Sequence, residues 1–283
     1  TARGAAVLIE GLQVSHAPGA APVLCDLAWS VAPGEHVALM GASGAGKSTL
    51  LDVLAREGKT PDRVTLLVRP AQAGAAAASG AEVVTEASAL IAAGPDLIVE
   101  CAGHSAVVEA VVPALLSGVE CIVVSIGALA DAHLHKAVTE AARKGGTRVV
   151  LPAGAIGGVD LLAALKPSGI EAVTYVSRKP PLAWKGTPAE ALLDLPALTE
   201  PATCFTGNAR EAALAYPKNA NVAATLALAG LGFEATRVEM VADPTVSQNI
   251  HEYRVTSGAA DYAMRIEGKP SPDNPKTSLA TVY

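Results

Sequence analysis

Residues 41–48, GASGAGKS, fit the pattern G-x-x-x-x-G-K-[ST] at every fixed position: Gly41, Gly46, Lys47 and Ser48. A loop of this kind rings a phosphate with backbone N–H groups. Lys47 would meet the β- and γ-oxygens and Ser48 would hold Mg²⁺. Hydrolysis of a bound triphosphate needs a second motif, four apolar residues followed by Asp-Glu. The nearest run, DLIVEC at 96–101, lacks that aspartate. Asp131, His133 and His135 lie close together, but on a helix a spacing of two turns the histidines to different faces, so no metal site is expected. Ser43 and Ser48 are not framed by G-x-S-x-G and form no nucleophile elbow. Cys25, Cys101, Cys121 and Cys204 are scattered without a C-x-x-C pair, which points to reduced thiols.

The elements that must carry these residues change in character along the chain. AAVLIEGLQVSH reads as a strand, and VLCDLAWSVAPGEHVALMG as two strands around a Pro-Gly turn. KSTLLDVLAREG reads as a helix, with Gly58 closing it. Short apolar runs then alternate with Ala-rich helices. RVTLLVRP, DLIVECAG, ECIVVSIGAL and TRVVLPAGAIGG are the strands; SALIAAG, SAVVEAVVPALLSG and DAHLHKAVTEAARKGG are helical. Continuous Val/Ile/Leu strands separated by helices predict a parallel sheet covered on both faces, with right-handed crossovers. After about residue 160 the strands lengthen: GIEAVTYVSRKP, ATCFTGNA, TRVEMVADP, IHEYRVTSG and DYAMRIEG predict an antiparallel sheet, interrupted by a helix in NANVAATLALAGLG. The expected fold class is α/β: a doubly wound, Rossmann-like nucleotide-binding domain plus an α+β catalytic domain.

Two resemblances are carried by quotable blocks. LIEGLQVSHAPGAAPVLCDLAWSVAPGEHVALMGASGAGKSTLL, residues 8–51, resembles the N-terminal part of an ABC-transporter ATP-binding subunit. From near Leu51 to Tyr283, the blocks VECAGHSAVVEAVVPALLSGVECIVVSIGAL, LPAGAIGGVDLLAALK, SRKPPLAWKGTPAE, AREAALAYPKNANVAATLALAGLG, VADPTVSQNIHEYRV and GKPSPDNPKTSLATVY occur in the order and spacing of the L-aspartate dehydrogenase family. The chain thus reads as a join near Leu50–Leu54. Segment 1–52 supplies the first strand and a P-loop, 36–150 the nucleotide-binding domain, 151–270 the catalytic and dimerisation domain, and 271–283 a C-terminal piece cut off in mid-helix. A dehydrogenase should carry G-x-G-x-x-G at its first loop. Those three glycines fall here on Ala42, Gly44 and Lys47, so two are missing. That departure and the short C-terminus lower the expected stability and cofactor affinity.

The dehydrogenase resemblance implies a set of roles. In ADPTVSQNIH it places proton transfer on His251, an imidazole suited to moving one proton near pH 7; the plain alternative is a satisfied histidine at a strand edge. It places the nicotinamide of NAD or NADP at Ala155, in PAGAIGG, and at Asn221, which opens an apolar helix and could also cap it. Gly44 and Gly46 would lie along the pyrophosphate at a helix N-terminus. The substrate, L-aspartate or iminoaspartate, carries two carboxylates that need cations. Lys218, Arg178, Lys179 and Lys276 are the candidates, unranked. Strand VTLLVRP ends in Arg69 where an acidic residue would select NAD, so NADP should be tolerated. The implied role is supply of iminoaspartate to NAD biosynthesis by a homodimer. The alternatives are an ABC-type ATP-binding module using ATP and Mg²⁺ at Gly41, Lys47 and Ser48, or an inactive fusion.

Bulk properties narrow the partners. The 283 residues are 51% hydrophobic and 3% aromatic, with a formal charge of −6, a poor match for nucleic acid or an anionic membrane. No apolar run reaches the roughly 20 residues of a bilayer span, and no secretory signal is expected, which gives a cytoplasmic reading.

Overall fold

The computed structural model describes residues 61–77 and 79–269, and ahead of them five strands: β1 Val7–Ile9, β2 Val14–Ser15, β3 Pro22–Leu24, β4 Trp29–Val31 and β5 His36–Gly41. β1 pairs antiparallel with β4, and β2 with β3, as two small ribbons. The two strands expected around the Pro-Gly turn therefore do not pair with each other. β4 belongs to a ribbon and β5 to the main sheet. The helix expected in KSTLLDVLAREG lies outside the described residues.

β5 begins a six-stranded parallel sheet with β6 Arg63–Leu67, β7 Glu82–Val84, β8 Leu97–Cys101, β9 Glu120–Val123 and β10 Val149–Val150. Its order is β10-β9-β8-β5-β6-β7, the doubly wound arrangement. Apolar side chains alternate through the sheet. Val37, Leu39, Leu66, Val99 and Ile122 pack on one face, and Ala38, Met40, Ile98, Cys121 and Val123 on the other, so helices must cover both. α1 Ala73–Ala77, α2 Ala87–Ala92, α3 and α4 Ala132–Gly145 make the crossovers. α3 is three consecutive segments, His104–Ala106, a π turn Val107–Val111 and Val112–Leu116. Pro113, which has no N–H to give, is the second residue after the π turn. Asp131 caps α4 by accepting from the N–H groups of His133 and Leu134 at 2.8 and 3.1 Å, and Gly146 ends it at φ 63°. That is the structural use of the DAHLH segment.

TRVVLPAGAIGG does not continue as a strand. Only Val149–Val150 pair, and 151–158 is irregular, with Pro152 giving no N–H and Gly154 and Gly158 at φ 70° and 68°. This loop leads through α5 Val159–Ala164 into the second sheet, made of β11 Ile170–Lys179, β12 Ala202–Asn208, β13 Thr236–Ala242, β14 Asn249–Ser257 and β15 Tyr262–Gly268. The order is β12-β13-β11-β14-β15. The expectation of an antiparallel sheet is corrected here: β11 and β13 run parallel over seven residue pairs, and the sheet is mixed. β12 returns antiparallel along β13, so β11 and β13 are left pointing the same way. α6 Ala209–Ala215 and α7 Asn221–Ala229 cover one face, and Val222 to Ala227 of α7 are all buried. The other face bears exposed ion pairs of Arg254 and Arg265 with Glu252, each contributing little.

Candidate active site

The helix-covered face of the second sheet is set by strand alternation. On β11, Val173, Tyr175, Ser177 and Lys179 are buried in succession; on β14, His251, Tyr253 and Val255 are. The register puts Tyr175 opposite Tyr253 and Ser177 opposite His251. His251 is thus flanked by β11 on one side and by Ile266 of β15 on the other. It is not a strand-edge histidine. Its Nδ1 lies 2.6 Å from the Tyr175 hydroxyl, with the two rings inclined by 9° and 6.1 Å apart. Burial, and secondarily the charge of Lys179, push its pKa down to about 3, so the ring is neutral. Burial also raises the Tyr175 phenol well above its usual range, so the hydroxyl keeps its proton. If Nδ1–H donates to the Tyr175 oxygen, Nε2 carries the free lone pair.

Lys179 ends β11 on the same face and is 6% exposed. Its ammonium donates to Asn219 Oδ1 at 2.9 Å and stands 5.2 Å from the centre of the Trp184 ring. Burial lowers its pKa to about 8, against a smaller opposing effect of Cys204. The other candidate cations are placed differently. Arg178 points to the opposite face and binds Asp243 Oδ2 at 2.9 Å. Burial works against the Asp243 charge, but bonds from Thr245 and Arg178 outweigh it and hold that carboxyl below its usual range. Lys218 is exposed, and Lys276 lies outside the described residues.

Asn221 does not cap its helix, as had been one expectation. Ala220 is the capping residue, and Asn221 Oδ1 accepts instead from the Gly127 N–H at 2.9 Å, in the turn Ile126–Ala130 that follows β9. A Cβ at Gly127 would come within 3.1 Å of that oxygen and 3.2 Å of His104 Nε2, so a larger residue there would require those two side chains to give way. Ala155 sits half-buried in the 151–158 loop, packed on the main core. The Tyr253 hydroxyl donates to Gly157 O at 2.9 Å and ties that loop to β14.

One residue that the motifs did not point to organises the loops on the main sheet. Glu100, fully buried at the end of β8, accepts from Ala102 N, Gly103 N, Ser125 Oγ and Ser125 N at 2.6–3.0 Å. It locks the loops after β8 and β9 together. Glu100 of DLIVEC is therefore not a free carboxylate for magnesium. The sequence signal was a glutamate inside an otherwise apolar strand, which must find donors to stay buried.

Beside these loops, at the carboxyl ends of β5, β6 and β8, a cleft of about 500 Å³ runs between Met40, Leu67, Arg69, Glu86, Ala102 and Ser105. β5 and β8 are where the strand order reverses, the position at which doubly wound sheets take dinucleotides. The residues present suit such a group. Buried His104 Nε2 has no hydrogen-bond partner among the described residues; it lies beside Gly127 and Asn221, and the next residue, Ser105, lines the cleft. Burial lowers the His104 pKa against the smaller opposing charge of Glu100, which favours the neutral ring. The loop residues Gly44, Gly46, Lys47 and Ser48, and the surroundings of Gly41, lie outside the described residues. Among the described residues no group of three or more His, Cys, Asp or Glu could hold a metal, and no helix is long and apolar enough to cross a membrane.

A Rossmann-like sheet with a crevice at its switch point, followed by a second sheet that carries a buried imidazole, is the arrangement of a nicotinamide-nucleotide dehydrogenase. The comparisons narrow the class. Residues 160–283 match the family profile "Aspartate dehydrogenase, C-terminal", and residues 44–152 match "Homoserine dehydrogenase, NAD binding domain". The chain is 46% identical over 252 residues to the L-aspartate dehydrogenase of Ralstonia pickettii, covering 88% of this chain and 94% of the relative. It is 50% identical over 215 residues to that of Ruegeria pomeroyi, covering 76% and 78%. The crystal structure of Thermotoga maritima aspartate dehydrogenase superposes with a TM-score of 0.64 at 28% identity, over 82% of this chain and 89% of that one. The chain belongs to the L-aspartate dehydrogenase family. The match to the NAD-binding profile begins at residue 44, within the glycine loop itself.

Proposed function

We propose that this chain interconverts L-aspartate and iminoaspartate with NAD or NADP, and that His251 moves the proton. The observation that carries this reading is the pairing of His251 with Tyr175. A neutral imidazole, with one nitrogen engaged and the other free, sits mid-strand in a member of this family. Nε2 takes a proton from the substrate amine or from water; the nicotinamide, when bound, accepts or returns the hydride. Asn221 and Ala155 hold the nicotinamide end: Asn221 through the turn it fixes at Gly127, Ala155 by leaving room on the 151–158 loop. Gly44 and Gly46 would follow the pyrophosphate at the start of the helix. Arg69 on the cleft, with no acidic side chain at 67–69, favours acceptance of a 2′-phosphate, so NADP should serve as well as NAD. A cytoplasmic homodimer supplying NAD biosynthesis is the physiological setting that fits.

ATP at Gly41, Lys47 and Ser48 is the second reading, supported by the full P-loop pattern. The engagement of Glu100 by four donors argues against hydrolysis. One experiment separates the two. The purified protein is titrated with NADPH and with Mg-ATP, then supplied with L-aspartate and NADP while absorbance of the reduced ring is followed. Aspartate-dependent reduction, lost by at least about 10³-fold in His251→Ala with NADPH affinity nearly unchanged, is the expected result. Normal turnover in that variant, or tight ATP binding with no aspartate-dependent signal, refutes it.

A further inference from the structure

We infer that Lys179 is the cation that receives one carboxylate of the substrate, and that it makes the enzyme selective for dicarboxylic acids; this rests on the aspartate dehydrogenase reading above. An ammonium withdrawn from water ordinarily has a carboxylate beside it. Lys179 has none: among the described residues it takes part in no ion pair, and its contacts are the neutral Asn219 amide and the Trp184 ring face. An ammonium has three donors, and one of these is used on Asn219. Desolvation without a counter-ion makes the free site costly, and an arriving carboxylate removes that cost.

Position supports the same role. Lys179 follows Ser177 on one face of β11, and Ser177 faces His251 across the ladder. The charge of Lys179 is felt at His251 and opposes its protonation. A carboxylate seated on Lys179 offsets that charge and lets the imidazole take a proton more readily. Binding of the diacid and readiness for proton transfer are thereby coupled. The rival cations are spent or remote: Arg178 is bound to Asp243 on the far face, and Lys218 is exposed.

The test uses the full chain loaded with NADPH, and succinate as a diacid that cannot react. Lys179→Met keeps the length and apolar stem and removes the charge. It should leave NADPH affinity within about twofold, raise the succinate Kd and the KM for L-aspartate at least about thirtyfold, and change kcat less than about fivefold. Lys179→Arg should recover at least a third of the lost succinate affinity on a logarithmic scale. The inference is overturned if Lys179→Met keeps both constants within threefold, or if kcat alone falls. Should the Met variant fail to fold, Lys179→Gln, which removes the charge but can keep the contact with Asn219, is read in its place against the same thresholds. If wild type shows no aspartate-dependent reduction, the family activity fails while the succinate result still stands. If wild type turns over and Lys179→Met matches its KM, only the lysine assignment fails.

Discussion

His251 is held neutral by its surroundings, and that has a thermodynamic consequence. An unfolded histidine titrates near 6.5, the buried one near 3. Both states are neutral above about pH 6.5. Below it the unfolded chain takes up a proton that the folded site refuses, so stability falls as pH falls. By pH 4 the loss from this residue reaches at most about 3 kcal/mol. His251→Gln should remove that part of the slope, so its unfolding free energy should decline less between pH 6.5 and 4 than that of wild type. Parallel declines would show that the imidazole is not desolvated. The histidine could be found in the sequence only through the resemblance of ADPTVSQNIH, since one imidazole in a strand says nothing by itself. Lys179 appeared among four equivalent cations, because exposure and pairing are three-dimensional facts. Alternation puts Tyr175, Ser177 and Lys179 on one face of the strand and Arg178 on the other, but which face is covered is decided by the helices that pack there.

At the level of elements, the loops after β8 and β9 are joined by one carboxylate. Glu100→Gln should be costly. The amide has one acceptor oxygen, and its NH₂ group would confront an N–H of Ser125 or of Ala102 and Gly103. A loss of about 2–4 kcal/mol in urea-unfolding free energy is expected, with weaker NADPH binding. A variant as stable as wild type, with unchanged cofactor affinity, would remove Glu100 from this role. The strands and α4 were readable from apolar runs, caps and breakers, since those are local properties. The end of β10 was not, because a Leu-Pro-Ala-Gly-Ala-Ile-Gly-Gly run keeps an apolar texture while its glycines and proline withhold the dihedrals and donors a ladder needs. The parallel pairing of β11 with β13 was equally hidden: strand direction depends on the path of the whole chain, and alternation is the same either way.

For the whole molecule, the contact between Asn221 and Gly127 is the polar tie between α7 and the main sheet's loop region. Asn221→Ala deletes the acceptor and leaves the Gly127 N–H without its partner. Stability should fall by about 1–3 kcal/mol, and NADPH affinity should drop more than the aspartate KM rises. An unchanged NADPH Kd would place Asn221 outside the cofactor site. The doubly wound plan and the presence of a second sheet were visible in the rhythm of the sequence, whereas the meeting of α7 with the turn after β9 joins residues 94 apart, which no local pattern encodes.

The central place of β11 also fixes a timetable. Its ladder partners are β13 and β14, made some 60 to 80 residues later. During synthesis at about 5–20 residues per second, β11 must wait several seconds for both neighbours. The strand bearing Tyr175 and Lys179 spends that interval unpaired on both edges, with its ladder groups open to other chains. A nascent chain stalled before Asn249 should therefore be the species that chaperones hold longest.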